Sequence, residues 1–187
     1  MHFTLCDLAA DIAQNAAESG ASVVEADFTE TENEFRFRFS DNGKGMTEEE
    51  LEKAKDPFHT DGKKHPGRRV GLGIPFLIQT ASQTGGGWNI RTQKGSGTTV
   101  EANFDLTNLD APPIGDVPGL IRTVFLFEGP TETIIRRNYD GKRGRTAYEV
   151  RKSELADALG GLEDAGALVL LDKYLRSLEE DEEENEA

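Results

Sequence analysis

The sequence predicts an α+β fold in which helices and paired strands build one main unit, followed by a smaller α+β region. Two pairs of segments alternate apolar and polar residues, which is typical of half-buried antiparallel strands. Before and between these pairs, apolar residues recur at helical spacing. A proline-rich break after Leu106 separates the main unit from the rest of the chain.

Composition limits the class of protein. The chain has 187 residues and is 36% hydrophobic, which suits one core with a small addition. It contains no apolar run near the ~20 residues of a membrane helix, and its N-terminus lacks a signal-type apolar core. Cys6 is the single cysteine, so an internal disulfide is excluded, and its place in an amphipathic helix predicts a packed thiol. We expect a cytoplasmic protein that is not embedded in a membrane.

The charge is strongly negative and unevenly distributed. The net charge is −14, and residues 179–187 carry seven acids and no base. Such a segment is typical of a solvated, disordered tail. The remaining chain is still negative, so we do not expect it to bind nucleic acid.

The first predicted helix runs from Thr4 to Ser19, with Thr4 as its N-cap and Gly20 as its terminator. Its apolar residues share one face. Asp11 and Asn15 are four residues apart, so they project from one side, at the edge of the apolar stripe. In a helix that packs on a sheet, this edge borders a cleft.

The next two segments predict an antiparallel hairpin of the strands Ser22–Phe28 and Glu34–Ser40. Alternate phenylalanines of the second strand face one way and its charged residues face the other. We expect Arg36 and Arg38 to pair with Glu25 and Asp27 across the outer face, which gives these arginines a structural role.

Four further elements are predicted before the proline-rich break: a helix over Thr47–Lys55, a helix over Gly71–Thr84, and a hairpin of the strands Gly87–Gln93 and Thr98–Leu106. Residues 107–119 predict a linker. Residues 120–178 predict a small α+β region packed on the first unit, with an apolar run, a hairpin and two helices: Leu120–Phe127, the strands Glu132–Asn138 and Thr146–Arg151, and a last helix from Asp164 to about Glu180.

The segment DNGKGM, Asp41 to Met46, lies between a predicted strand and a predicted helix. A carboxylate followed by glycines at i+2 and i+4 suits a bound purine. The carboxylate can accept from an exocyclic amine, and Gly43 and Gly45 let the backbone approach a flat ring. The alternative interpretation is a common Asp-Asn-Gly turn.

The segment Gly71-Leu72-Gly73 opens a predicted helix, and the free amide groups of a helix start suit phosphate. The loop before it, His59 to Val70, is basic and has no periodicity. Its lysines and arginines suit a triphosphate, although a solvated basic loop is the alternative. These bases are Lys63, Lys64, Arg68 and Arg69.

In this order, the motifs resemble the GHKL superfamily, which comprises gyrase, the heat-shock chaperone ATPases, histidine kinases and MutL. DNGKGM is similar to the first glycine box of the family. Four other parts accompany it: Asp11 and Asn15 on the first helix, Asp56-Pro57-Phe58, Gly71 to Ile74, and Gly97-Thr98. The resemblance covers about residues 1–106. It implies a Bergerat-type two-layer sandwich, with a mixed, mostly antiparallel sheet covered by helices on one face.

The resemblance also implies a site for Mg-ATP. Asp41 would hold the adenine amine with help from Thr98, and Asn15 would bind magnesium. Asp11 occupies the position of the general base in hydrolysing relatives, and the basic loop occupies the position of the lid. The residues implied in ATP binding are Asn15, Asp41, Gly43, Gly45, Met46, Phe58, Lys63, Lys64, Arg68, Arg69, Gly71, Leu72, Gly73 and Thr98.

Three functions remain open from the sequence: an ATP-driven regulator with slow turnover, a protein kinase acting in trans, as anti-sigma kinases do, and a nucleotide-binding subunit that does not hydrolyse ATP. None of the three histidines lies on a helix suited to a phosphoacceptor, so autophosphorylation on histidine is not expected. Together with the first glycine box, the segments DPFHT, VGLGIPF and NLDAPPIGD resemble stand-alone bacterial ATP-binding proteins of histidine-kinase type that accompany iron-only hydrogenase and related electron-transfer subunits. This resemblance implies a protein partner in a redox complex.

Overall fold

The computed structural model describes residues 4–58 and 72–180. In these residues the chain forms six helices and six strands. In chain order they are α1 (Leu5–Ala17), β1 (Val23–Thr31), β2 (Glu34–Asp41), α2 (Glu48–Lys55), α3 (Gly73–Gln83), β3 (Gly87–Gln93), β4 (Gly97–Asp105), α4 (Val117–Leu126), β5 (Glu132–Gly141), β6 (Gly144–Arg151), α5 (Lys152–Leu159) and α6 (Ala165–Ser177). The strands form one mixed sheet in the order β3-β4-β2-β1-β5-β6.

The helices and strands predicted before Leu106 are present, with their ends shifted by up to three residues. The largest shift is in β1, which continues to Thr31 because the register with β2 runs on to the pair Glu30 and Phe35. The Thr31 hydroxyl then accepts from the Glu34 amide at 3.0 Å and closes a shorter turn than predicted.

The core lies between the sheet and the helices on one of its faces. The alternate phenylalanines of β2 are fully buried there, as the period-two pattern predicts. Phe37 packs against Phe104 of β4 with ring centroids 5.7 Å apart. Helix α1 covers this layer with its apolar stripe, which includes Leu5, Leu8 and Ile12.

Helix α1 begins as predicted, with Thr4 as its N-cap in a capping box with Asp7. Its first two amides, of Leu5 and Cys6, donate to the carbonyls of Pro113 and Ile114 at 2.9 and 2.8 Å. The predicted linker therefore docks on the start of α1. Cys6 is buried, which confirms the packed thiol, and burial raises the pKa of this thiol to about 12.

The C-terminal hairpin joins the same sheet as the first half of the chain. Strand β5 pairs in parallel with β1 from Val23 opposite Glu132 to Thr31 opposite Asp140, and β6 pairs antiparallel with β5. The sequence predicts this hairpin as part of a unit packed on the first domain, whereas the structure extends the sheet edge to edge. It stays a prediction that one independent domain ends at residue 106 and that another region begins at residue 120.

Two further predictions are corrected in this region. The apolar run forms α4, which begins at Val117, inside the predicted linker, because Pro118 is tolerated in the first turn of a helix. The disordered tail was predicted from Glu179 onward. Instead, Glu179 is ordered by an ion pair with Arg137, whose Nε lies 2.9 Å from Glu179 Oε1.

Charged residues on the outer face of the sheet pair across neighbouring strands. Arg38 pairs with Asp27 at 3.1 Å, as predicted. Arg36 pairs instead with Glu34 of its own strand, and Glu25 pairs with Arg136 of β5 at 2.8 Å. The prediction was wrong for Arg36 and Glu25 because the register of β1 and β2 places Thr29 opposite Arg36 and Ser40 opposite Glu25, so the two residues are not neighbours. No helix among the described residues is long and apolar enough to cross a membrane.

Candidate nucleotide site

One face of α1 carries Asp11 and Asn15, and Ser19 follows one turn beyond Asn15. The three residues recur at i, i+4 and i+8 and form the row on α1, although Ser19 lies two residues past the last helical residue, Ala17. Asn15 is exposed, whereas Asp11 and Ser19 are half-buried. Ser19 is absent from the predicted site residues, although its spacing from Asn15 repeats the spacing of Asn15 from Asp11.

The first glycine box starts at Asp41, the last residue of β2, and contacts the end of α1. Asp41 Oδ1 accepts from the Ser19 hydroxyl at 3.0 Å and from the Gly43 amide at 2.8 Å. The Lys44 amide donates to the Ser19 carbonyl at 3.0 Å. Ser19 is therefore bonded to the box through both its side chain and its backbone.

Asn42 has a structural role in the same box. Its side-chain oxygen accepts from the amides of Ser22 and Val23, each at 3.0 Å, and its side-chain nitrogen donates to the Ser22 hydroxyl at 2.9 Å. These bonds fix the box to the first turn before β1. The bond from the Gly43 amide to the Asp41 side chain is the local side-chain bond that an Asp-Asn-Gly segment favours, as in the alternative interpretation.

Two glycines of this region have positive φ and pack directly on neighbouring backbone. Gly45 has φ +58°, and a methyl group there would lie 1.9 Å from the Gln93 carbonyl oxygen. Gly97 has φ +96°, and a methyl group there would lie 1.9 Å from the Asp41 carbonyl oxygen. Only glycine fits these positions. Gly45 is therefore also required because the box packs on the β3–β4 turn, which the sequence pattern does not show.

Thr98 lies beside Asp41, because the two residues are direct partners in the register of β2 and β4. The Thr98 hydroxyl is 2.9 Å from the hydroxyl of Thr92, which also accepts from the Met46 amide at 2.8 Å. Thr92 thus links Thr98 to the end of the glycine box. Thr92 is not among the predicted site residues, because the pairing of β3 with β4 brings it beside Thr98 and no local pattern marks it.

The second glycine box begins α3 with Leu72 as an N-cap that has no side-chain cap bond. The first intrahelical bond runs from the Phe76 amide to the Leu72 carbonyl, so the amides of Gly73 and Ile74 precede it. A methyl group added at Gly73 would lie 3.3 Å from Asp11 Cβ and 3.5 Å from Asn15 Nδ2. The start of α3 therefore rests against the row on α1.

The structure thus brings most of the predicted residues that it describes to the two ends of one row on α1. Asp11, Asn15 and Gly73 meet at one end, and the first glycine box with Thr98 meets the other. Phe58 is almost fully exposed, and among the described residues its backbone amide donates to the side chain of Asp56. Five predicted residues lie outside the described residues: Lys63, Lys64, Arg68, Arg69 and Gly71.

Among residues 4–58 and 72–180, no group of three or more His, Cys, Asp and Glu side chains is arranged to hold a metal ion. The predicted ligand, the exposed Asn15, stands next to the start of α3.

Residues 3–108 match the family described as histidine kinase-, DNA gyrase B-, and HSP90-like ATPase. The matched region is more than half of the chain and contains both glycine boxes and the row on α1. The chain therefore belongs to this family, the GHKL superfamily, and carries its ATPase domain. Its mixed sheet with helices on one face is the Bergerat-type α+β fold that the sequence predicts.

Two solved structures resemble the chain at low sequence identity. The N-terminal domain of a DNA repair protein is 13% identical with a TM-score of 0.49, over 88% of this chain and 58% of that one. The Aquifex aeolicus MutL ATPase domain complexed with ADP is 13% identical with a TM-score of 0.36, over 93% of this chain and 70% of that one. The chain thus spans less than two thirds of the first of these structures.

Proposed function

We propose that the protein is a regulatory ATP-binding protein that binds Mg-ATP along the row on α1 and turns it over slowly. The observation that carries the proposal is the placement of an acidic anchor and an amide-lined helix start at opposite ends of this row. A nucleotide has matching ends, an amine-bearing base and a charged phosphate chain. The basic segment 59–70, which lies outside the described residues, is proposed as the lid from its sequence alone.

The adenine end of the proposed site is built on Asp41. Its Oδ1 is occupied by the Ser19 hydroxyl and the Gly43 amide. Its Oδ2 then serves as the acceptor for the exocyclic amine of adenine. The hydroxyl of Thr98, which stands beside Asp41, assists directly or through a water molecule.

The phosphate end is built on the start of α3 and on Asn15. Amides at a helix start favour phosphate through their hydrogen bonds and the helix dipole. The side-chain oxygen of Asn15 is a suitable ligand for magnesium, which commonly takes few protein ligands and completes its shell with phosphate and water. When bound, magnesium supplies positive charge that neutralises the phosphate oxygens.

Hydrolysis is assigned to Asp11. It is half-buried and lies one helical turn before Asn15, against the start of α3. A carboxylate at this place can orient a water molecule toward the terminal phosphate and accept its proton. Slow turnover would move the lid, and the position of the lid would change the affinity for a protein partner.

Two alternative functions use the same site. In a trans-acting kinase, a partner's hydroxyl group takes the place of the water molecule. In a subunit that does not hydrolyse ATP, binding alone changes the contacts with a partner, for which the sequence resemblance suggests a hydrogenase-type redox complex. We propose a cytoplasmic location for all three functions.

Calorimetry with ATP, with and without magnesium, tests the binding site. We expect Asp41→Asn to weaken binding about 10-fold to 100-fold, because a hydrogen bond to a charged group contributes about 1.5–3 kcal/mol. Asp105→Asn is a matched control, since Asp105 also ends a strand and accepts from the amide two residues later, at Thr107. Equal affinity of the Asp41 variant and the unchanged protein would contradict the proposal.

Incubation with γ-labelled ATP distinguishes the three functions. Free phosphate indicates turnover, label on an added partner protein indicates a kinase, and unchanged ATP indicates a binding subunit. We expect Asp11→Asn to abolish the release of phosphate while ATP affinity stays within about 2-fold, since the base acts on water rather than on the bound nucleotide. Unchanged turnover in this variant would remove Asp11 from the mechanism.

A further inference from the structure

Ser19, two residues after the end of α1, contacts the first glycine box through both its side chain and its backbone. Its hydroxyl lies 3.0 Å from Asp41 Oδ1 and 2.7 Å from the Ala16 carbonyl oxygen. Its carbonyl accepts from the Lys44 amide at 3.0 Å. A methyl group added at Gly43 would lie 2.0 Å from Ser19 Oγ, so the box packs on this side chain without a gap.

The bonds of Asp41 are asymmetric. Both donors that Asp41 has among the described residues, the Ser19 hydroxyl and the Gly43 amide, are bound to Oδ1, whereas Oδ2 has no partner among those residues. Two donors on one oxygen fix the rotation of the carboxylate. The other oxygen is then held in one direction as a pre-oriented acceptor.

The Ser19 proton has two acceptors in reach, and a hydroxyl donates one proton. The carboxylate is the stronger acceptor because it is charged. Without the hydroxyl, the Gly43 amide is the remaining donor, and one bond leaves the carboxylate freer to rotate. We therefore expect loss of this bond to change the direction of Oδ2 rather than to unfold the protein.

We infer that Ser19 is a positioning residue that aims Asp41 Oδ2 at the exocyclic amine of the base and so sets the preference for adenine. This inference rests on the proposed function, since it concerns the base end of the same site. Ser19 acts through Asp41 and needs no contact with the nucleotide. Its contribution must then vanish for a purine nucleotide that lacks the amine.

The test compares ATP with purine riboside triphosphate, which carries hydrogen in place of the amine. For Ser19→Ala we expect Kd for ATP to rise about 5-fold, the equivalent of one hydrogen bond of about 1 kcal/mol, and Kd for the analogue to stay unchanged. Ser22→Ala is the matched control. It removes a hydroxyl that also contacts the box, through Asn42, but does not touch Asp41, so we expect the ratio of the two Kd values to stay as in the unchanged protein.

The outcomes separate the inference from the proposed function. If Ser19→Ala weakens both nucleotides equally, or neither, the inference is wrong while ATP binding stands. If the unchanged protein does not bind ATP, or Asp41→Asn has no effect, the proposed function fails and the inference with it. Ser19→Cys keeps the size of the side chain with a weaker donor. It is expected to show the same selective loss if the alanine variant does not fold.

Discussion

At the scale of single residues, two adjacent arginines of β5 show that the face of the strand decides how much a charged residue contributes to the stability of the protein. Arg136 lies on the outer face, partly exposed, and pairs with Glu25, Asp27 and Glu149. Arg137 lies on the inner face with no exposure, and it pairs with Glu30 and Glu179. A buried charge must keep its partners, whereas an exposed one can exchange them for water.

We expect Arg137→Met to lower the free energy of unfolding by about 3–5 kcal/mol, because two carboxylates are left partly buried without their partner. Arg136→Met is the matched control on the same strand, and we expect it to cost about 1 kcal/mol or less, as exposed pairs do. Urea unfolding of the two variants measures both values. An equal cost for the two substitutions would contradict the burial argument.

The hydroxyl of Tyr148 strengthens the Arg137 cluster. It donates to Glu179 Oε1 at 2.7 Å, and burial, followed by the nearby carboxylate, raises the pKa of this phenol. The raised pKa keeps this phenol a neutral hydrogen-bond donor at neutral pH. Glu179 thus joins the end of α6 to both β5 and β6.

At the scale of elements, two helices start with the same motif but differ in what they bury. Helix α1 begins with a capping box of Thr4 and Asp7, and α2 begins with one of Thr47 and Glu50. Helix α1 buries eight residues, whereas α2 buries none. Helical stability in a folded protein comes mainly from packing of the apolar face, so the same cap is coupled to global stability only in α1.

We expect Thr4→Ala to lower the free energy of unfolding by about 1 kcal/mol, the usual cost of an N-cap, and Thr47→Ala to leave it unchanged. The loss in the second variant is local, because a helix without buried residues opens by itself. Urea unfolding gives the global value, and amide hydrogen exchange in residues 48–55 gives the local one. A global loss of equal size in both variants would show that α2 belongs to the cooperative core.

At the scale of the whole molecule, the parallel pairing of β1 and β5 joins the two halves of the chain into one sheet. Without β5, the edge of β1 would be open, and the buried Ala26 would lose Ile135, its neighbour in the register. The loop before α4 also satisfies the first amides of α1. These contacts make the second half of the chain part of the core.

We therefore expect a chain that ends after residue 116 to lose cooperative unfolding, since it lacks β5, β6 and the helices that cover them. A chain that ends after residue 180 is the control, because it keeps the whole sheet and removes only residues 181–187. Urea unfolding followed by near-ultraviolet circular dichroism compares the two chains. Cooperative unfolding of the shorter chain would instead support an independent domain close to the predicted 1–106.

Local rules predicted most of the elements. Apolar spacing placed α1 and the phenylalanine face of β2, and the capping motifs placed the starts of α1 and α2. These signals depend on residues within one or two turns of each other, so one stretch of sequence contains all of them. The glycine boxes also form local motifs, which is why their order indicated the family. Contacts such as that of Ser19 with Asp41 were missed because they join separate stretches.

The amino-acid sequence by itself determined the helices, the strand pairs, the order of the motifs and the family to which the chain belongs. The tertiary structure alone decided that β5 pairs with β1 and that Arg137 is buried among carboxylates. It also decided that Ser19 and Thr92 form hydrogen bonds with the first glycine box. The physical reason is the distance along the chain over which each kind of interaction acts. Propensity and periodicity act between near neighbours, whereas pairing of segments far apart depends on which strands and helices compete for the same edge and the same core.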